Sequence, residues 1–162
     1  MKVAATEGQG MDEVGGIFAR EFPAVDGYIQ VGVAQGRVIS VDFPARPQND
    51  AGPEYDLLDR IEAYLNGEPD DFRDVTLALT LPTDERRVLE ALREVPYGEA
   101  VTVEQLARMT AGLDDEEADL RTVREALADN PTPVLIGDHR VRDASGATPA
   151  EVAAVCRGVE GL

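Results

Sequence analysis

Residues 95–141 read VPYGEAVTVEQLARMTAGLDDEEADLRTVREALADNPTPVLIGDHRV and contain the pattern that decides the fold. Thr102 can cap a short helix that runs to Met109, and apolar residues at helical spacing predict a longer helix over residues 115–129. A loop through Gly112 separates the two helices. Two helices of this length, joined by a turn that contains glycine, indicate a helix-turn-helix.

Helices are also predicted on both sides of this motif. Thr83 is expected to cap a helix that ends at Pro96-Tyr97-Gly98, and a last helix is predicted from Thr148 to Glu160. Apolar side chains at helical spacing give the first of these helices its buried face: Val88, Leu89, Leu92 and Val95.

The first third of the chain alternates apolar and polar residues, which is the signal of strands. Residues 28–33 and 37–43 flank Gln35-Gly36 and are predicted to form a hairpin. Residues 16–22 are predicted to add a strand to the same sheet. Residues 73–79 are either a last strand or an extended linker.

Between these segments, Leu57, Leu58, Ile61 and Leu65 recur at helical spacing and stop at Asn66-Gly67, which predicts one amphipathic helix. The expected fold class is therefore α+β. A small amino-terminal antiparallel sheet with a helix is assigned to residues 1–82. A helical domain with a winged-helix-like helix-turn-helix is assigned to residues 83–162.

The charge of the chain is strongly acidic, with 32 acidic and 15 basic residues and a net charge of -17. Only Lys2 among the basic residues is lysine. A lysine-poor acidic chain is typical of a halophilic protein with an acidic surface, because the Debye length falls to about 3 Å at 1 M salt. The alternative is an ordinary acidic protein that avoids nucleic acid.

Two further classes are excluded by the sequence. One cysteine, Cys156, cannot form an internal disulfide, and with His139 it supplies too few ligands for a zinc site. No apolar run approaches the roughly 20 residues that cross a bilayer. We therefore expect a cytoplasmic protein without a membrane span, a metal or a cofactor.

Four ordered blocks carry a resemblance to a known family: 95–99, 105–107, 130–136 and 139–141. Together they resemble the O6-alkylguanine-DNA alkyltransferases, also called methylated-DNA-protein-cysteine methyltransferases. The resemblance implies an amino-terminal sheet domain before a DNA-binding helix-turn-helix. It also implies the transfer of an alkyl group from damaged guanine to a cysteine in a Pro-Cys-His-Arg motif.

The acceptor position of that motif is occupied by Asp138, since the sequence reads Gly137-Asp138-His139-Arg140. Alkyl transfer needs a thiolate, for which a carboxylate is a poor substitute. The resemblance makes His139 and Glu160 remnants of the proton relay, and the alternative is a structural hydrogen bond between them. Cys156 is expected to be a small buried side chain on the last helix.

The residues expected to meet DNA lie on and after the third helix of the carboxy-terminal half: Arg121, Thr122, Arg124, Asn130 and Arg140. Arg121 and Arg124 are one turn apart and can reach phosphates or base edges. Five acidic residues within 114–119 would repel a nearby phosphate. Binding to double-stranded DNA is therefore predicted to be weak and dependent on salt.

Three functions follow from these observations. The first is a non-catalytic alkyltransferase-like protein that binds DNA or recognises alkylation damage, with a repair protein as a further partner. The second is a structural or protein-interaction relic that does not bind DNA. The third is the methyltransferase activity that family membership alone implies. The chain is expected to be a monomer.

Overall fold

The computed structural model describes residues 15–162, which form an α+β fold of the predicted kind. The elements follow one another in the predicted order: β1 (Gly16–Phe22), β2 (Gly27–Ala34), β3 (Arg37–Asp42), α1 (Asp56–Leu65), α2 (Thr83–Leu92), α3 (Val103–Met109), α4 (Glu117–Ala128) and α5 (Ala150–Glu160).

The three strands form one antiparallel sheet in the order β1-β2-β3. Gln35 and Gly36 both have positive φ, at 53° and 76°, which suits the two-residue turn of a hairpin. The predicted hairpin and the predicted strand before it are confirmed. The sequence signal was strong here because alternation and turn chemistry agree.

The sheet packs against α1 around a core that contains Ile29, Val31, Leu58 and Ile61, all fully buried. Helix α1 ends where predicted, and Gly67 has a φ of 110° that favours glycine. The same core includes buried side chains from the second half of the chain: Val134, Leu135, Val152 and Cys156. These residues connect the sheet to the site described below.

Residues 73–75 form a turn and residues 76–79 are extended beside β3, so residues 73–79 do not form the regular last strand that was one alternative. Only one isolated bridge forms there, between Leu77 and Val38. The amide of Val38 donates to the carbonyl of Thr76 at 3.0 Å, and the amide of Ala78 donates to the carbonyl of Val38 at 3.0 Å. Pro82 follows closely and limits any longer pairing.

Helices α2, α3 and α4 pack around a second core, which contains Leu89, Leu92, Leu106 and Leu127. Thr102 caps α3 in a capping box with Gln105. The α3–α4 pair, with Gly112 at a φ of 86° in its loop, is the predicted helix-turn-helix. The winged-helix-like character of this motif and the division of the chain after residue 82 stay predictions.

Three helix starts differ from the sequence expectation, and one of them is that of α4, which begins at Glu117 rather than at residue 115. The cap position of α2 is Pro82 rather than Thr83, and no side chain caps this helix. Helix α5 begins at Ala150, two residues later than predicted, because a residue before proline avoids helical backbone and Pro149 follows Thr148. Within residues 15–162, no helix has the length and apolar character that crossing a membrane requires.

Candidate functional site

The candidate site begins at a tight turn that follows α4. Asn130 is 4% exposed, and its Oδ1 accepts a hydrogen bond from the amide of Thr132 at 3.0 Å. Its Nδ2 donates to the carbonyl of Ile136 at 3.1 Å. Val134 lies in this turn with a φ of 74°, a strained conformation for a β-branched residue. Asn130 thus acts inside the protein, where it holds the turn closed.

The turn leads into a 3₁₀ helix over Asp138–Arg140, all three of whose residues are buried. Asp138 is 2% exposed. Its Oδ2 accepts hydrogen bonds from Asn130 Nδ2 at 3.0 Å and from the Thr148 amide at 3.2 Å. Both partners are hydrogen-bond donors, so Oδ2 acts only as an acceptor in these contacts. Asp138 therefore ties the turn to the segment that precedes α5.

Glu160, at the end of α5, accepts hydrogen bonds from several elements. Its Oε2 lies 2.7 Å from His139 Nε2 and accepts a hydrogen bond from the Tyr64 hydroxyl at 2.5 Å. Arg140 binds it with two nitrogens, at 2.8 and 2.9 Å. The amide of Gly98 donates to Oε1 at 2.9 Å. Glu160 thereby joins α1, α5 and the 3₁₀ helix.

The electrostatics of this cluster favour an ionised Glu160. Burial alone would raise the pKa of Glu160, but hydrogen bonds from His139, Arg140 and Tyr64 outweigh it and hold that pKa well below its usual range. Nδ1 of His139 is buried and has no partner among the described residues.

Cys156 lies one turn before Glu160 on α5 and is fully buried, so its predicted burial is confirmed. Burial raises the pKa of the Cys156 thiol to about 12. A thiol that stays protonated at neutral pH is a weak nucleophile. The arrangement therefore does not activate this cysteine.

The predicted DNA-contacting residues that are not buried lie on α4. Arg121 and Arg124 are exposed, and Thr122 is partly buried. The Thr122 hydroxyl donates to the carbonyl of Ala118 at 3.1 Å. Two of the preceding acids have internal partners: Asp115 binds Arg108 at 2.9 Å, and Asp119 accepts from the amide of Asp114. Their effect on a nearby phosphate is reduced by these contacts.

The structure thus divides the predicted site residues into two groups. Asp138, His139, Arg140, Asn130 and Glu160 form one buried set, in which Arg140 and Asn130 bind protein atoms. Arg121, Thr122 and Arg124 lie apart from it on α4. Sequence reasoning missed Tyr64, which is 1% exposed. Its position three residues after Ile61 indicates burial but not its contact with Glu160.

A cavity of about 380 Å³ opens beside Asp138. It lies between the 3₁₀ helix and the first residues of α5, and its walls include Gly146, Thr148 and Arg157. This volume falls within the roughly 300–1,000 Å³ of small-molecule sites. The buried set therefore borders a space that can hold a ligand.

Comparison with known proteins places residues 84–157 in a family model described as 6-O-methylguanine DNA methyltransferase, DNA binding domain. A methylated-DNA–protein-cysteine methyltransferase of Methanopyrus kandleri is 36% identical over 86 residues, which are 53% of this chain and 61% of that protein. A methylated-DNA–protein-cysteine methyltransferase of Methanothermobacter thermautotrophicus is 30% identical over 127 residues, which are 73% of this chain and 69% of that protein.

A DNA base-flipping protein of Thermus thermophilus is 33% identical over 105 residues, which are 64% of this chain and 67% of that protein. The chain spans less than two thirds of the Methanopyrus kandleri relative.

Solved structures share the fold. Mycobacterium tuberculosis OGT in complex with DNA has a TM-score of 0.69 at 22% identity, covering 90% of this chain and 92% of that one. Mycobacterium tuberculosis O6-methylguanine methyltransferase has a TM-score of 0.68 at 21% identity, covering 90% and 93%.

Proposed function

Since the chain belongs to the family of the O6-methylguanine DNA methyltransferases, we propose that it is a DNA-binding protein of alkylation repair that no longer transfers alkyl groups. Relatives named as methyltransferases and as a base-flipping protein support the DNA-binding half of this proposal. A cytoplasmic location and a further repair protein as partner belong to the same proposal.

The proposed loss of alkyl transfer rests on one observation, the residue at position 138. Asp138 stands directly before His139-Arg140, where the family resemblance expects the acceptor cysteine, and its carboxylate is held by Asn130 and Thr148. Sulfur is the good nucleophile for displacement at saturated carbon, whereas a carboxylate would form an ester. With no thiol at position 138, His139 and Glu160 stabilise the fold instead of relaying a proton.

The proposed DNA interface is the exposed face of α4 around Arg121, Thr122 and Arg124. Neither arginine takes part in an ion pair between described residues, so both remain able to neutralise phosphates. Asn130 and Arg140 are buried and bind protein atoms, so the proposed interface does not include them. The net charge of -17 limits affinity, because it repels the DNA backbone at low salt.

The experiment compares duplex binding by the parent protein with binding by an R121A/R124A variant. We expect the variant to bind at least about tenfold more weakly and its salt slope to fall by about 0.9 for each phosphate that it no longer neutralises. An R86A/R87A variant is the matched control, since it removes two exposed arginines from α2. An equal decrease in both variants, or none in either, would contradict the α4 interface.

A second candidate function, methyl transfer itself, is favoured by the names of the relatives. Its acceptor would have to be Asp138 or Cys156. Burial raises the pKa of Cys156 to about 12, which opposes attack by its thiolate. We therefore rank transfer below DNA binding without transfer.

A further inference from the structure

Two cavities of about 470 and 300 Å³ lie side by side next to α2, and Glu90 and Arg93 line both of them. We call the smaller cavity the linker groove, because residues 77–80 of the extended linker form one of its walls. Its other lining side chains are Arg37, at the start of β3, and Arg86, on α2. The groove therefore lies where the sheet meets the helical half of the chain.

The linker groove is basic, although the whole chain carries a net charge of -17. Three arginines and one glutamate line it. Arg86, Glu90 and Arg93 follow one another at positions i, i+4 and i+7, so they share one face of α2. Arg37 adds a positive charge from the side of the sheet. A local excess of positive charge favours a partner that carries carboxylates or phosphates.

The guanidinium groups of the groove have donors to spare. Arg37 and Arg93 take part in no ion pair between described residues, and Arg86 lies 3.8 Å from Glu90. Nη2 of Arg93 donates to three carbonyl groups of the segment 72–75, at 2.8 to 3.2 Å, which fixes this side chain. No hydrogen bond between described residues uses its Nη1. The groove can therefore donate hydrogen bonds to carboxylates of another molecule.

The linker also presents an open backbone edge. The carbonyl of Thr76 and the amide of Ala78 both pair with Val38 of β3. Because the backbone groups of successive residues in an extended chain point to opposite sides, those of Leu77 and Leu79 point away from β3. No hydrogen bond between described residues uses them. An edge of this kind can pair with an added strand.

We propose that the linker groove binds an extended acidic peptide segment of a partner protein. The segment adds as a strand beside Leu77 and Leu79, and its carboxylates bind the three arginines. A peptide suits this surface better than a nucleic acid, because a strand matches the alternating donors and acceptors of the open edge. The inference goes beyond the proposed function, since no residue of the α4 interface lines the groove.

A fluorescein-labelled heptapeptide that alternates glutamate and valine tests this surface. In fluorescence anisotropy it should bind the full-length protein saturably. The same peptide with glutamine in place of glutamate should bind at least about fivefold more weakly, because it lacks the carboxylates. In ¹⁵N NMR, the glutamate peptide should slow hydrogen exchange of the Leu77 and Leu79 amides, since both gain an acceptor.

Three exposed substitutions test the charges of the groove. R37Q should bind the peptide at least about fivefold more weakly than the parent. R46Q is the matched control, because Arg46 is exposed and lines neither cavity, and it should bind like the parent. E90Q removes the acid that opposes the peptide's carboxylates, so it should bind at least about twofold more tightly.

The peptide and duplex experiments separate this inference from the proposed function. R86A/R87A should lose peptide affinity and keep duplex binding, whereas R121A/R124A should do the reverse. The inference is overturned if the glutamate peptide does not bind saturably, if the glutamine peptide binds equally well, or if R37Q and R46Q bind alike. It is also overturned if a DNA duplex displaces the peptide and R37Q weakens duplex binding, because the groove then binds nucleic acid.

Discussion

Oε2 of Glu160 lies 2.7 Å from Nε2 of His139, and both side chains are completely shielded from solvent. Arg140 neutralises the same carboxylate at 2.8 Å. This contact joins the end of α5 to the 3₁₀ helix, where the resemblance expects the relay of an alkyltransferase. A buried charge with several partners can stabilise the fold whether or not a reactive thiol stands beside it.

Replacing Glu160 with glutamine should destabilise the protein strongly. The substitution leaves Arg140 buried without its counter-charge, and removing one partner of a buried pair costs about 3–5 kcal/mol. Urea unfolding at neutral pH measures the change in the free energy of unfolding. The exposed substitution E151Q is the control and should stay within about 0.5 kcal/mol.

The parent protein and the E160Q variant also allow a test of how stability depends on pH. Hydrogen bonds hold the pKa of Glu160 below its usual range despite burial, so its stabilisation is complete above the unfolded pKa of about 4.3 and is lost as pH falls further. The difference between parent and E160Q should therefore shrink by more than about 1 kcal/mol between pH 6 and pH 3. A difference that is constant over this range would contradict the account.

Cys156 should be unreactive in the folded protein. Burial raises the pKa of its thiol to about 12, and the side chain is fully buried. With Ellman's reagent at pH 8, the native protein should release almost no colour over minutes, whereas the urea-unfolded chain should react with one thiol. Rapid reaction of the native protein would show that the thiol is accessible.

Gly146 should tolerate no larger side chain, because a Cβ there would collide with the carboxyl group of Asp138. G146A is expected to cost about 1–3 kcal/mol through displacement of Asp138. G158A is the matched control, since a Cβ at Gly158 meets nothing within 4 Å. Within α5 that change should stabilise by about 0.5–1 kcal/mol. Equal effects of the two substitutions in thermal unfolding would count against the collision.

Stability should rise with salt. A net charge of -17 makes the compact state repel itself, and screening reduces this repulsion. Tm should therefore climb between about 0.1 M and 2 M potassium chloride. If scanning calorimetry shows a Tm that stays constant or falls as salt rises, the halophilic interpretation is wrong.

Local chemistry explains what the sequence could predict. The Gln35-Gly36 hairpin, the capped helix α3 and the burial of Cys156 follow from patterns within short segments. The helix starts at Thr83 and Thr148 were misplaced because neighbouring prolines occupy the cap positions.

The site itself depends on contacts between distant segments. Tyr64 and Glu160 are 96 positions apart, and only the packing of α1 against α5 brings them together. The internal role of Asn130 depends on the path of the turn toward Asp138. No spacing in the sequence carries this information, which is why the cavity and its lining could not be predicted.

We propose that this protein binds DNA without accepting an alkyl group. The decisive measurement is the intact mass of the protein recovered from its complex with a duplex that contains O6-methylguanine. We expect an unchanged mass, with the lesion still methylated in the recovered DNA. A mass increase of one methyl group, at Asp138, Cys156 or any other residue, would contradict it.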